Sequence, residues 1–314
     1  MASNYLDSID GMIDGIEKFQ SNLCLGLHQL ENSLAKDFIS VDWMLQAIDL
    51  IRTSNAAVLD LVQRLTSPVP GRGRVWANAI MDETVKLSDV CKVLKIGVFR
   101  LQEYATYVRR NSMILVIGPF TDGNAVHPIR EFLASCRVTV ERMLQENKEL
   151  IGTQIEAEGK ISFDLRYSEV DSTDAMWSPL WGMIYPLRNT NSFISMILLW
   201  GVLDMDGSYS SKLATVHSKT PWAISISLLQ ASLIQQIDLK PRHRILLQEF
   251  VKLEACLQTF SVRTNWPIGF DVQTLWDSTD ILKGRLDDLE WRIDDLVDDI
   301  HEGRRRLISW LSRL

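Results

Sequence analysis

Six aspartates near the C-terminus, Asp287, Asp288, Asp294, Asp295, Asp298 and Asp299, are the residues whose type and spacing come closest to suggesting chemistry. Asp294/Asp298 and Asp295/Asp299 are helical neighbours, and paired carboxylates can hold a hard divalent cation. Acids on one continuous helix project outward, however, and cannot wrap an ion as a loop does. The central glycine of an EF-hand loop is also missing from this stretch. The run therefore reads as a solvated acidic face, with its like-charge repulsion partly offset by Arg285 and Arg292.

Other chemical signals are weaker. The histidines, His28, His127, His217, His243 and His301, form neither HExxH nor His-x-His, and no GxSxG elbow occurs. Gly71 to Arg74 reads GRGR and lacks the GK[ST] ending of a phosphate loop. Cys24, Cys91, Cys136 and Cys256 lie far apart with no CxxC pair, which predicts reduced, buried thiols. No catalytic, metal or cofactor site is expected, and the chain reads as a non-enzyme. Arg304, Arg305 and Arg306 fall near the end of the last helix, where cations complement its negative pole. With Trp310 they are also the candidate contact for an acidic partner or an anionic membrane surface, although three arginines are fewer than a polybasic anchor usually carries.

The 314 residues are 46% hydrophobic and 23% charged, ordinary values for a folded globular chain. A formal net charge of -7 argues against a general nucleic-acid binder, which needs a basic face for phosphates. Met1 to Ile16 carries Asp7, Asp10 and Asp14, so it resembles neither a signal peptide nor an Arg-rich transit peptide. The apolar run Phe193 to Leu203 falls far short of the roughly 20 residues that cross a bilayer. It reads as a buried central helix.

These residues sit on long helices. Ile9, Ile13, Ile16, Leu23, Leu27, Leu30 and Leu34 make a narrow seam with one gap, at Gln20. Ser40 looks like an N-cap, Asp42 favours the first turn, and a second helix follows from Val41 to Leu65. Pro68, Pro70, Gly71 and Gly73 break it into a loop. A third helix is expected from Val75 to about Arg110. Met113 to Gly123 is ambiguous between a short strand, an apolar loop and the end of that helix. Pro128 suits the first turn of a fourth helix reaching Leu150. Thr153 to Ala175 reads as a mobile loop. Thr220 and Pro221 open a helix to about Asp238, and Pro241 and Pro267 bracket another near Arg242 to Arg263. Leu275, Leu282, Leu286, Leu289, Ile293, Leu296, Ile300 and Leu307 recur at heptad-like spacing, which predicts a long last helix packed along another. An antiparallel pairing with the first helix would tie the two ends together. Trp177, Trp181, Trp200 and Trp222 could line a pocket between helices for a small-molecule binder or an enzyme, the main alternative to a surface acting on proteins.

Three passages resemble the plant BYPASS family and its ROH-type relatives. Ser40, Val41, Asp42, Trp43 and Met44 with Ala47 are similar to the family's S-V/L-S-W-M helix opening. Trp76 and Asp82, followed by Val85, Lys86, Leu87, Asp89 and Cys91, resemble its W-x(4)-L-D-x-S-V-K-L-L-D-L-C helix. Pro221, Trp222 and Ala223 resemble its L-P-W-A step. The passages occur in the family's order, and the resemblance runs from about residue 20 to the end. It implies a plant regulator without enzymatic activity, acting in development, root-to-shoot signalling or stress response, with ROH-type members partnering an exocyst subunit. The motifs are structural and carry no catalytic residue. The family's longer Pro-rich leader is missing here and the loop at Ser67 to Arg74 is shorter, so leader-dependent plastid or membrane targeting is not carried over.

The expectation is an all-α, elongated bundle of long antiparallel helices over 1–314, with a β-like or irregular segment near 113–123 left open. It would act through protein contacts in the cytoplasm, with peripheral membrane contact and homo-oligomerisation both open.

Overall fold

The computed structural model describes residues 2–64, 73–113, 115, 126–151, 178–203, 220–238, 245–262 and 268–312. These residues form eight α-helices and no strand. In order they are α1 (Ala2–Lys36), α2 (Val41–Arg64), α3 (Gly73–Ser112), α4 (Val126–Ile151), α5 (Ser178–Val202), α6 (Pro221–Asp238), α7 (Gln248–Val262) and α8 (Ile268–Leu311). The fold is all-α, as the periodicity predicts. Of the loop expected over 67–74, residues 67–72 lie outside the described residues, as do 153–175 and most of the ambiguous run after Met113, while Gly73 and Arg74 belong to α3, which starts two residues before the expected Val75.

At the centre, α2 lies on α5, α5 on α3, α3 on α8 and α8 back on α2. Side-chain meetings give the directions. Asn55 faces Asn191, and Met44 faces Gly201, so α2 and α5 run antiparallel. Lys95 reaches Asp294 and Arg109 reaches Asp280, which makes α3 and α8 antiparallel as well. Beside these antiparallel pairs two neighbouring pairs run parallel: α2 with α8, through Asp42–Arg285 and Arg52–Asp299, and α3 with α5, through Glu83–Arg188 and Gly97–Val202. The cause is α5. Phe193 to Leu203 is buried at every position, so this helix needs cover on all sides and takes it from α1, α2, α3 and α6.

Two helix pairs flank the ring. α1 and α6 pack together on the α2/α5 side, while α4 lies on α3, α7 on α8, and the two touch each other. The expected pairing of the first and last helices is therefore corrected. The short link at Asp37–Ser40 folds α1 back along α2, as short helix connections do, and its seam Leu23, Leu27, Leu30 and Leu34 is buried there. The heptad seam of α8 is spent on α3 and α2.

The α1–α2 corner is the tightest junction. Ser40 Oγ accepts from the Trp43 amide at 3.2 Å, the N-cap expected from sequence. The Val41 amide donates to both carboxylate oxygens of Glu249, at 3.1 and 3.3 Å. Ile39 holds φ at 32°, which is strained for a β-branched residue, yet it is fully buried and its carbonyl accepts from the Gln248 amide. Gly201 makes this possible, since a Cβ there would lie 3.2 Å from Ile39 Cγ2 and Met44 Sδ. Leu246 and Leu247 donate to the carbonyls of Trp200 and Gly201. That engagement draws the chain along the end of α5, so α7 starts at Gln248 rather than near Arg242.

Candidate functional site

The six aspartates of α8 are all exposed, as a solvated acidic face requires, and four of them also reach across to neighbouring helices. Arg52 of α2 reaches Asp299 at 2.6 Å and Asp295 at 3.2 Å, Arg292 pairs with Asp49, and Arg285 pairs with Asp42. On the other flank Lys95 reaches Asp294 at 2.7 Å, and Gln102 donates to Asp287 at 2.8 Å and to Glu290 at 3.2 Å. Helical spacing places these acids on the two shoulders of the apolar seam, where each shoulder meets a different neighbour. They fix the register of α8 against α2 and α3. Most of these pairs are solvent-exposed on one partner, so each contributes little stability by itself.

The arginine end of α8 is partly self-compensated. Arg305 lies 3.3 Å and Arg306 3.0 Å from the same Glu302 carboxylate, at i+3 and i+4 spacing, and Arg304 is half-buried. Trp310 packs against the hydrophobic core. The structure thus leaves Arg305 and Arg306 exposed, with Trp310 drawn inward from them. No described helix is long and apolar enough to cross a membrane.

The tryptophans proposed as a pocket are dispersed. Trp200 and Trp222 are buried on different helices, Trp181 is half-buried with its ring 5.4 Å from Tyr185, and Trp177 lies outside the described residues. The motif residues mark packing. Trp43 is fully buried and its Nε1 donates to the Leu30 carbonyl at 3.0 Å, joining α2 to α1. Met44 is buried beside Gly201, Asp82 is exposed, Lys86 is half-buried near Glu83, and Asp89 pairs with Lys92 at 2.8 Å. Pro221 is exposed at the first position of α6, followed by buried Trp222. The Trp76 side chain is not among those described.

An open groove of about 700 Å³ runs along the outer seam between α3 and α8, lined by Phe99, Gln102, Glu103, Tyr107, Lys283 and Asp287 among others. Phe99 is 56% exposed, and Trp291, one turn beyond Asp287, is 75% exposed. A tryptophan that open to water is costly in apolar hydration and marks a contact surface more often than an exposed leucine does.

Inside the fold, titratable groups serve packing. Tyr104 donates to Glu254 at 2.6 Å between α3 and α7, and burial pushes the Glu254 carboxyl above its ordinary range. Burial does the same to Glu83, outweighing Lys86 and Arg188, whose Nε lies 3.5 Å away. The Cys91 and Cys136 thiols are both pushed up to about 12 by burial, the opposite of an activated nucleophile. Among the described residues no three His, Cys, Asp or Glu side chains are placed to share a metal ion. Both glutamates bind their protons more tightly folded than unfolded, so their contribution is full below the ordinary carboxylate range and lost as pH rises through the folded values. Urea unfolding of wild type and of the Glu83→Gln/Glu254→Gln double variant at pH 5 and pH 8 checks this. The wild type should lose stability relative to the variant at the higher pH; a difference that stays constant or grows would contradict it.

Against known proteins the chain shows only distant similarity. Over 88 residues, 28% of its length, it is 26% identical to UPF0496 protein 4 of Oryza sativa subsp. indica and of subsp. japonica. The same identity over the same length relates it to Protein BPS1, chloroplastic, of Arabidopsis thaliana. The likeness is to plant proteins. It spans 19% of the rice proteins and 25% of the Arabidopsis protein, a quarter or less of their length. No family model matches the chain, and no solved structure matches it. This similarity is consistent with a plant BYPASS-like family, over a narrower stretch than the motifs suggest.

Phe99 and Trp291 are the surface residues that motif reading missed. A signal for Trp291 was present: it lies two residues from each of the seam positions Leu289 and Ile293, which places it on the opposite face of α8.

Proposed function

We propose that this chain is a plant regulatory or scaffold protein without enzymatic activity, working in the cytoplasm or at a membrane surface through protein contacts. The observation that carries this reading is where its polar and apolar groups lie. Buried polar side chains meet across helices, Tyr104 with Glu254 and Glu83 with Arg188, while on the outer surface Phe99 lines an open groove and Trp291 stands exposed next to Glu290 of its wall. The resemblance of the Trp43, Lys86 and Trp222 motifs to BYPASS and ROH-type proteins, together with the distant similarity to the rice and Arabidopsis proteins, supports a role in development, signalling or stress response.

The resemblance also supplies the partner to try first, a subunit of the exocyst tethering complex. Purified chain immobilised on a biosensor is expected to bind one purified exocyst subunit reversibly at micromolar concentrations or below. If every subunit fails to bind at tens of micromolar, the link to exocytosis is lost.

A further inference from the structure

The surface on either side of the Gln102–Asp287/Glu290 contact combines two features rarely left unpartnered. Phe99 lines the groove from the α3 side, and Trp291, outside the lining itself, follows Glu290, which lines it from the α8 side; both rings are more than half exposed. Two aromatics at the edges of a helix–helix groove are the anchors that an amphipathic helix buries when it lies along such a groove. The charge around them selects among such helices. Glu103, Asp287, Glu290, Asp294 and Asp298 surround the aromatics, against Lys95, Lys283 and Arg110. Lys95 is already drawn onto Asp294. The carboxylates are in excess, so a helix with acidic flanks is repelled and one with Lys or Arg flanks is attracted, its cations also free to lie over the indole face of Trp291.

We propose that the α3/α8 groove with Phe99 and Trp291 is the docking site for an amphipathic helix of a partner protein, apolar on one face and flanked by Lys and Arg. The site deepens the reading that the chain works through protein contacts and rests on it. Trp291 is the central anchor, Phe99 receives the second apolar position of the bound helix, and the carboxylates of Asp287, Glu290 and Asp294 set orientation and salt dependence. The anchors are on rigid helix interiors, so the free chain is already in the binding geometry.

The test is a display library of amphipathic helices whose flanking positions sample Lys, Arg, Glu and Gln equally, selected on the purified full chain. Lys and Arg are expected to be enriched beside the apolar face. The best synthetic peptide should bind at least about tenfold more weakly to Trp291→Ala and to Phe99→Ala, as expected for aromatic anchors. Binding should also weaken as salt is raised. Both substitutions remove exposed rings, and circular dichroism melts matching wild type verify the fold. Enrichment of Glu or Gln, selection of no helix, or unchanged peptide affinity in both variants would each overturn the proposal, as would concentration-dependent self-association of the chain that Trp291→Ala abolishes. The two readings fail separately: an exocyst subunit that binds wild type and both variants equally removes only this surface, whereas peptide binding without any exocyst contact removes only the exocytosis link.

Discussion

Trp43→Ala is expected to destabilise the chain by about 3–5 kcal/mol, the range for truncating a buried large aromatic. The indole is fully buried, and its Nε1 satisfies the Leu30 carbonyl inside α1. Removing it leaves both a cavity and a carbonyl that loses an added hydrogen bond. The damage should propagate because Trp43 sits at the corner where Ser40 caps α2, Glu249 binds the Val41 amide and strained Ile39 is held by Gln248. A backbone conformation of that kind persists only where its surroundings over-determine it. Trp43→Phe separates the contributions, since it keeps most of the ring volume and deletes the donor. It should cost clearly less than the alanine. Guanidinium unfolding followed by far-ultraviolet circular dichroism gives both values, and an alanine variant within about 1 kcal/mol of wild type would show that the corner is not a structural tie.

What could be read from the residues follows from how local the physics is. Helix existence was legible because 3.6-residue periodicity and caps are local: Ser40, the Thr220–Pro221 step and the α8 seam all mark what the structure contains. The burial of Phe193 to Leu203 was legible as well, being a property of one helix. Partner choice was not. The seams of α1 and α8 are alike in sequence, and nothing local says that α1 turns back on α2 while α8 settles between α2 and α3. The acidic run was legible as an exposed face, but its cross-helix partners were not, for the same reason. Asp294 and Asp295 are adjacent in sequence, yet one meets Lys95 of α3 and the other Arg52 of α2. The start of α7 was missed because the bonds from Leu246 and Leu247 to Trp200 and Gly201 join residues distant in sequence. The candidate surface was half legible: the helix wheel exposes Trp291, but the groove that Phe99 lines depends on the α3/α8 register.

Gln20 shows how a polar gap in an apolar seam can answer a defect in another helix. Pro186 lies inside α5 and has no amide, so the carbonyl four residues earlier, that of Gly182, loses its helical donor. Gln20 Nε2 of α1 donates to that carbonyl at 2.7 Å. The interruption between Ile16 and Leu23 is therefore complementary to the proline, and the two positions should be coupled. Gln20→Met keeps the length of the side chain and removes the donor. It is expected to cost about 1–2 kcal/mol, because the carbonyl is part-buried and an unmet acceptor of this kind costs about 1–3 kcal/mol. Pro186→Ala supplies an amide for the same carbonyl, so in that background Gln20→Met should cost only a few tenths of a kcal/mol. A double-mutant cycle by urea unfolding measures the difference. Equal costs of Gln20→Met with and without the proline would mean that the glutamine is there for some other reason; a coupling of about 1 kcal/mol or more would establish that α1 and α5 are held in register by this single carbonyl.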